Sequence, residues 1–167
     1  LTVKATRPET ADGLVVAFDM RPALAFAPGQ YLTLRAEING AAEQRCYSIC
    51  SAPDDPVIEV AIKRVPGGRF SEWAHENLKP GATLGVMAPE GRFGCSPGSA
   101  PARRYLAIAA GSGITPVISL VQTLLAAEPS ASFTLVYGNR DMASIMFREA
   151  LDDLKDRYMA RFSAIHI

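Results

Sequence analysis

Apolar and polar positions follow two different rhythms along the chain. In the first ninety or so residues, short apolar segments alternate with turns rich in glycine and proline. Val3 opens the first segment, and Leu14-Val15-Val16-Ala17-Phe18 forms the second. Tyr31-Leu32-Thr33-Leu34-Arg35 follows the turn Ala27-Pro28-Gly29-Gln30. Cys46-Tyr47-Ser48-Ile49 and Val57-Ile58-Glu59-Val60-Ala61-Ile62 come next, and Thr83-Leu84-Gly85-Val86-Met87 closes the series after Lys79-Pro80-Gly81. Six short strands with such turns predict a small closed antiparallel β-barrel. One segment inside it has a helical period, with Phe70, Trp73, Ala74 and Asn77/Leu78 at steps of three and four.

Residues 94–103 are small, polar and proline-rich, as linkers are. Beyond them the rhythm changes. Tyr105-Leu106-Ala107-Ile108-Ala109 is a continuous apolar run, the pattern of a parallel strand buried on both faces. After Gly111-Ser112-Gly113, the residues Val117, Ile118, Leu120, Val121, Leu124 and Leu125 mark one face of a helix. Thr115 suits its N-cap and Pro116 its first helical position. Phe133-Thr134-Leu135-Val136-Tyr137 predicts a second strand, Ile145, Phe147, Leu151 and Leu154 a second helix, and residues 162–167 a third strand. The order β-α-β-α-β is half of a doubly wound nucleotide-binding domain. The expected organisation is a barrel over residues 1–97 and a partial α/β domain over 98–167. A three-stranded parallel sheet ending there leaves an apolar edge, and the chain begins without methionine, so a longer parent protein is expected.

Composition narrows the function classes. Lysine plus arginine equals aspartate plus glutamate, 17 each, so no global basic field exists to hold nucleic acid or an anionic membrane. No apolar run approaches the roughly 20 residues of a membrane span, and no leader pattern opens the chain. Three cysteines, Cys46, Cys50 and Cys95, do not make a disulfide framework, and a cytoplasmic setting is expected. Cys46 and Cys50 stand about 13 Å apart on an extended strand, too far to share a metal. The spacing fits no plant-type iron–sulfur site. His75 and His166 have no evident catalytic partners, and Trp73 reads as core, so no metal ligands are assigned.

Candidate chemistry falls at four places. Arg45-Cys46-Tyr47-Ser48 ends a strand, with Arg45 and Tyr47 on one face and Ser48 on the other. A guanidinium grips phosphate, a tyrosine ring stacks and a hydroxyl donates, so the trio suits a phosphate-bearing aromatic cofactor. It equally suits an exposed arginine and tyrosine on a barrel strand. Gly67-Gly68-Arg69-Phe70-Ser71 precedes the first helix, where glycines and free N–H groups can meet an anion, with Ser71 as N-cap. Lys63 and Arg64 add cations, and an ordinary capped turn is the alternative. Gly111-Ser112-Gly113-Ile114-Thr115-Pro116 follows a strand and opens a helix, like a dinucleotide fingerprint with proline in place of the third glycine. Tyr137-Gly138-Asn139-Arg140 ends a parallel strand, where ligands bind such sheets, although Arg140 suits solvent as well.

In this order the motifs resemble the ferredoxin–NADP reductase superfamily, over essentially the whole chain. The resemblance implies a Greek-key FAD-binding barrel followed by a nicotinamide-binding α/β domain. It implies that Arg45 holds the FAD pyrophosphate, Tyr47 stacks on the flavin and Ser48 approaches flavin N5. Lys63, Arg64 and Val65 match the flavin-edge segment, and Gly67, Gly68 and Ser71 the second phosphate motif. Gly111, Gly113, Thr115 and Pro116 match the nicotinamide loop, and Asn139 and Arg140 the pyridine-nucleotide groove. The resemblance also implies that Ser48 and Thr115 are the side chains nearest the hydride path.

Within the superfamily, Cys50-Ser51-Ala52-Pro53, the stretch from Ile62 to Ser71 and Ser144-Ile145-Met146-Phe147-Arg148-Glu149 are similar to reductase components of multicomponent oxygenases, the phenylacetyl-CoA epoxidase group among them. That likeness implies electron flow from NADPH or NADH through FAD to a [2Fe–2S] centre in a further C-terminal domain. An oxygenase component or a ferredoxin would be the acceptor, with neither nucleic acid nor membrane as partner. A simple ferredoxin or flavodoxin reductase, a non-catalytic flavin-binding or regulatory module, and a similar barrel binding no flavin are the alternatives.

Overall fold

The computed structural model describes residues 1–19, 24–98 and 102–167. Strands β1 (Val3–Thr10) and β2 (Gly13–Asp19) form a hairpin, and β2 pairs antiparallel with β5 (Val57–Lys63). A second sheet is centred on β3 (Tyr31–Ile38), flanked by β4 (Ala41–Ser48) and the short β6 (Gly85–Val86). Single bridges join the two sheets at both seams, Ile49 to Val60 and Thr2 to Thr83. The six strands therefore close in the order β1-β2-β5-β4-β3-β6. Val16, Phe18, Leu32, Leu34, Ile58, Val60 and Ile62 fill the interior, and α1 (Arg69–Asn77) packs Phe70 and Ala74 onto the same core.

The second layer is a parallel sheet ordered β7 (Arg104–Ala110), β8 (Ser132–Gly138), β9 (Phe162–His166), with α2 (Ile114–Ala127) and α3 (Arg148–Arg157) as crossovers. Two right-handed crossovers that step in the same direction put both helices on one face. Phe133, Leu135, Tyr137 and Phe162 are buried there with Val121, Leu124 and Leu151. The other face is open, and Leu106 and Ile108 are 68% and 76% exposed. Two-sided burial was expected of residues 105–109; within this chain the apolar run is covered on one side only.

Burial on both faces occurs in β2 and β5 instead. Val16 and Val60 point into the barrel, whereas Val15 and Ala61 join the core built around α2. The Ser119 hydroxyl donates to Ser51 O at 2.7 Å across the same seam. The barrel and the α/β layer therefore share a buried boundary, and that boundary fixes the walls of the site.

Three helix starts differ from the sequence reading. Gly68, not Ser71, is the N-cap of α1, and the buried Ser71 Oγ instead accepts from Val65 N at 3.0 Å, closing the turn before the helix. α2 begins at Ile114 after a tight turn over Gly111–Gly113, so Thr115 and Pro116 lie inside its first turn. Proline is tolerated there because first-turn N–H groups have no helical acceptor. α3 begins at Arg148; Ile145 and Phe147 are buried in the connection before it, and Phe147 has a left-handed backbone with φ 59°. Of the linker, residues 99–101 lie outside the described residues, and Gly98 N donates to Glu128 Oε1 at 2.8 Å.

Candidate functional site

A cleft of about 520 Å³ opens where the end of β4, the turn before α1 and the loop between β7 and α2 meet. Arg45, Cys46, Tyr47 and Ser48 form one wall, Lys63, Val65, Gly68, Arg69, Phe70 and Ser71 a second, and Ser112, Gly113, Thr115 and Pro116 a third. Residues on both faces of β4 border it, because the cleft wraps around the strand's end. The face alternation that separated Ser48 from Tyr47 on paper therefore does not exclude either.

Each wall has a local cause. β4 is held in register by β3, Thr33 opposite Cys46 and Tyr31 opposite Ser48. Tyr47 leans on Phe70 of α1, ring centres 5.8 Å apart, and burial pushes its phenol up to about 12. The ring is thus a neutral, partly buried surface beside a charged rim. Arg45 is exposed, with Nη1 donating to Gln44 O at 2.7 Å. Glu43 carries two guanidinia, Arg45 and Arg69, each at 3.1 Å. Lys63 Nζ is 3.3 Å from Asp12 Oδ2. On the third wall, the buried Thr115 Oγ1 donates to Ser112 O at 3.0 Å and fixes the loop's last turn.

A second cleft of about 240 Å³ adjoins the first and shares Lys63 with it. Ala110, Gly111, Gly138, Asn139, Arg140 and Ser144 line the rest. The Tyr137 hydroxyl donates to Gly111 O at 2.8 Å, which ties the glycine loop to the neighbouring strand end.

The residues fit a flavin dinucleotide in the first cleft and a nicotinamide dinucleotide across the glycine loop. Cations, the N-terminus of α1 and an aromatic face suit a pyrophosphate and a ring. At Gly111 and Gly113 a Cβ would meet nothing within 4 Å, so these glycines leave the loop surface bare for close approach. The side-chain amide of Asn139 is buried beside the Tyr137 phenol and forms no well-aligned hydrogen bond among the described residues. Unpaired buried amides are costly and call for a polar ligand or water.

The structure brings Arg45, Tyr47, Ser48, Lys63, Val65, Gly68, Ser71, Gly113, Thr115 and Pro116 to the first cleft, and Lys63, Gly111, Asn139 and Arg140 to the second. Arg64 and Gly67 line neither. Arg64 is exposed and gives its N–H to Asp12 O at 2.6 Å. Gly67, at φ 73°, donates its N–H to Glu72 Oε1 and shapes the turn. Sequence reasoning gave no role to Arg69 and Ser112, although both stand inside its motifs, and it missed Ser144 and the carboxylate of Glu43, whose signal lies in space.

Known proteins resemble the chain over its whole length. Residues 5–94 match the oxidoreductase FAD-binding domain, and residues 107–167 the oxidoreductase NAD-binding domain. The chain is 47% identical to a subunit of the 1,2-phenylacetyl-CoA epoxidase of Escherichia coli (strain K12), over 100% of this chain and 48% of that protein. It is 39% identical to the ferredoxin reductase component of 3-ketosteroid-9-alpha-monooxygenase from Rhodococcus rhodochrous, over 99% of this chain and 48% of that one. Among solved structures, the Amycolatopsis cytochrome P450 reductase GcoB superposes with a TM-score of 0.87 at 27% identity, covering 99% of this chain and 50% of its own. The chain thus spans about half the length of the curated relatives it matches.

Proposed function

Because the chain belongs to the oxidoreductases that join an FAD-binding domain to an NAD-binding domain, we propose that it is the flavin-binding part of an NAD(P)H-dependent reductase. The parent protein passes electrons from NADPH or NADH through FAD to an iron–sulfur centre, with an oxygenase component or a ferredoxin as acceptor. The names of the relatives favour the reductase of a multicomponent oxygenase, the phenylacetyl-CoA epoxidase type first. The observation that carries this reading is the shared cleft, where Arg45, Tyr47 and Ser48 face the Gly113–Pro116 turn across one cavity.

Arg45 would hold the FAD pyrophosphate together with Gly68, Ser71 and the first N–H groups of α1. Tyr47 would lie against the flavin, with Val65 and Lys63 along its edge. When bound, FAD would supply a hydride acceptor for the nicotinamide and a one-electron donor. Ser48 would donate a hydrogen bond near flavin N5. Thr115, held by Ser112 O, keeps the glycine loop close and, with Pro116, narrows the cleft against water. Gly111, Gly113, Asn139 and Arg140 would take the dinucleotide. The working division is a barrel over residues 1–97 and an α/β domain over 98–167. A cytoplasmic setting is favoured by three unpaired thiols. Among the described residues, no helix is long and apolar enough to cross a membrane.

The test is anaerobic addition of NADPH or NADH to FAD-loaded protein. Bleaching of the flavin absorbance is expected with at least one of them. Flavin that stays oxidised with both would reject the reductase reading for this chain.

A further inference from the structure

Glu43 precedes Arg45 by two residues on β4, so both side chains leave the same face. Its Oε2 lies 3.1 Å from Arg45 Nη1, and its Oε1 lies 3.1 Å from Nη1 of Arg69, the first residue of α1. The carboxylate is 13% exposed, whereas the two arginine side chains are 52% and 57% exposed. Both arginines line the larger cleft and Glu43 does not. One sheltered carboxylate thus ties the middle of β4 to the start of α1 and holds two exposed cations that line the cleft. Exposed ion pairs add little to folding, so this geometry needs another use.

We propose that Arg45 and Arg69 form a two-guanidinium clamp for a diphosphate, with Glu43 as the residue that positions both. The proposal rests on the reading of this cleft as an FAD site. A diphosphate has acceptors on two phosphorus centres, and one guanidinium fork matches only one of them. A guanidinium has five N–H donors, so the edge that Glu43 occupies leaves others for phosphate. Free arginines lose rotamer freedom when they bind, and shared tethering removes part of that cost beforehand. Two guanidinium cations and one carboxylate leave one net positive charge, and the α1 N-terminus adds to it.

The experiment is a fluorescence titration of the chain with FAD, for wild type, Arg69→Ala, Glu43→Gln and the double variant, at several KCl concentrations. Thermal unfolding without FAD is recorded alongside. Arg69→Ala is expected to weaken binding by about tenfold or more and to flatten its salt dependence. Glu43→Gln is expected to weaken it by about three- to tenfold, and by less than that in the Arg69→Ala background, where only Arg45 is left for it to position. Unfolding temperatures without FAD should stay within a degree or so of wild type for all variants. Wild-type affinity in Arg69→Ala, an unchanged or tighter Glu43→Gln, or additive losses would overturn the clamp. If wild type takes up no FAD, the flavin reading fails. Inorganic pyrophosphate then decides the clamp separately: it survives if pyrophosphate raises the unfolding temperature of wild type but not of Arg69→Ala, and falls otherwise.

Discussion

Gly68 shows how little room the first cleft's floor has. A Cβ there would sit 2.6 Å from Ser71 Oγ and 2.8 Å from Val65 O, inside the turn that starts α1. Gly68→Ala is expected to cost about 1–3 kcal/mol, as overpacking does, read as a lower urea midpoint. FAD affinity should fall with it, because the same turn presents the helix N-terminus. An unchanged midpoint would mean that the turn relaxes freely. At this scale much of the site was legible: Arg45, Tyr47, Ser48 and the two glycine motifs are contiguous in the sequence. Arg69 was not, because an arginine at the start of a helix is ordinary until Glu43 appears beside it. Ser71 was misplaced for a related reason. A serine three residues after Gly68 is a good cap on paper, but its hydroxyl is taken by Val65 N.

Among the elements, α3 begins under an unusual constraint. Phe147 adopts φ 59° and gives its N–H to Glu9 Oε1 at 2.6 Å, a carboxylate 138 residues away on β1. A negative charge at a helix N-terminus is favourable, and Arg7 links the same carboxylate to Glu59 while lying 5.8 Å from the Phe147 ring. Glu9→Ala is expected to lose about 1–3 kcal/mol, the usual cost of stranding a buried donor. Amide exchange at residues 142–150 should accelerate, while β3 and β4 stay protected. Equal protection in the variant would show the bond to be dispensable. The expectation that this helix includes Phe147 failed here, since apolar period marks burial and cannot reveal a left-handed residue. The first half of β4 was missed because Ala41 to Arg45 is polar or small. Its signal is the Asn39-Gly40 turn, with φ 54° and 75°, which closes a tight hairpin.

Across the whole molecule, the barrel and the α/β layer are one packed body. Val15 belongs to a barrel strand, yet its side chain is buried in the core around α2. Val15→Ala is therefore expected to lower Trp73 and far-ultraviolet melting curves together, by about 1–3 kcal/mol; separated transitions would show independent domains. Charge acts at the same scale through Glu128, which binds Gly98 N, Tyr105 and Arg103. The hydrogen bond from Gly98 N leads in holding its carboxyl below the usual range, and Tyr105 and Arg103 add to it. A carboxyl depressed in the fold stabilises above its unfolded value, about 4.3, and loses that contribution as pH falls through the folded one. Wild type should thus exceed Glu128→Gln in urea stability near neutrality, and the gap should close in acid. A gap that persists in acid would remove the ionic explanation. The alternation of strands and the change of period announced the two layers. Which sheet face the two helices cover was hidden, because crossover direction, not hydrophobicity, decides it.

FAD binding carries the whole account, and it is measured most directly by titrating the purified chain with FAD and following its fluorescence and visible spectrum. A saturable one-to-one complex is expected, weakened at least about tenfold by Arg45→Ala through loss of a charge-assisted phosphate contact. A folded chain that takes up no FAD would contradict it, as would an Arg45→Ala variant that binds like wild type.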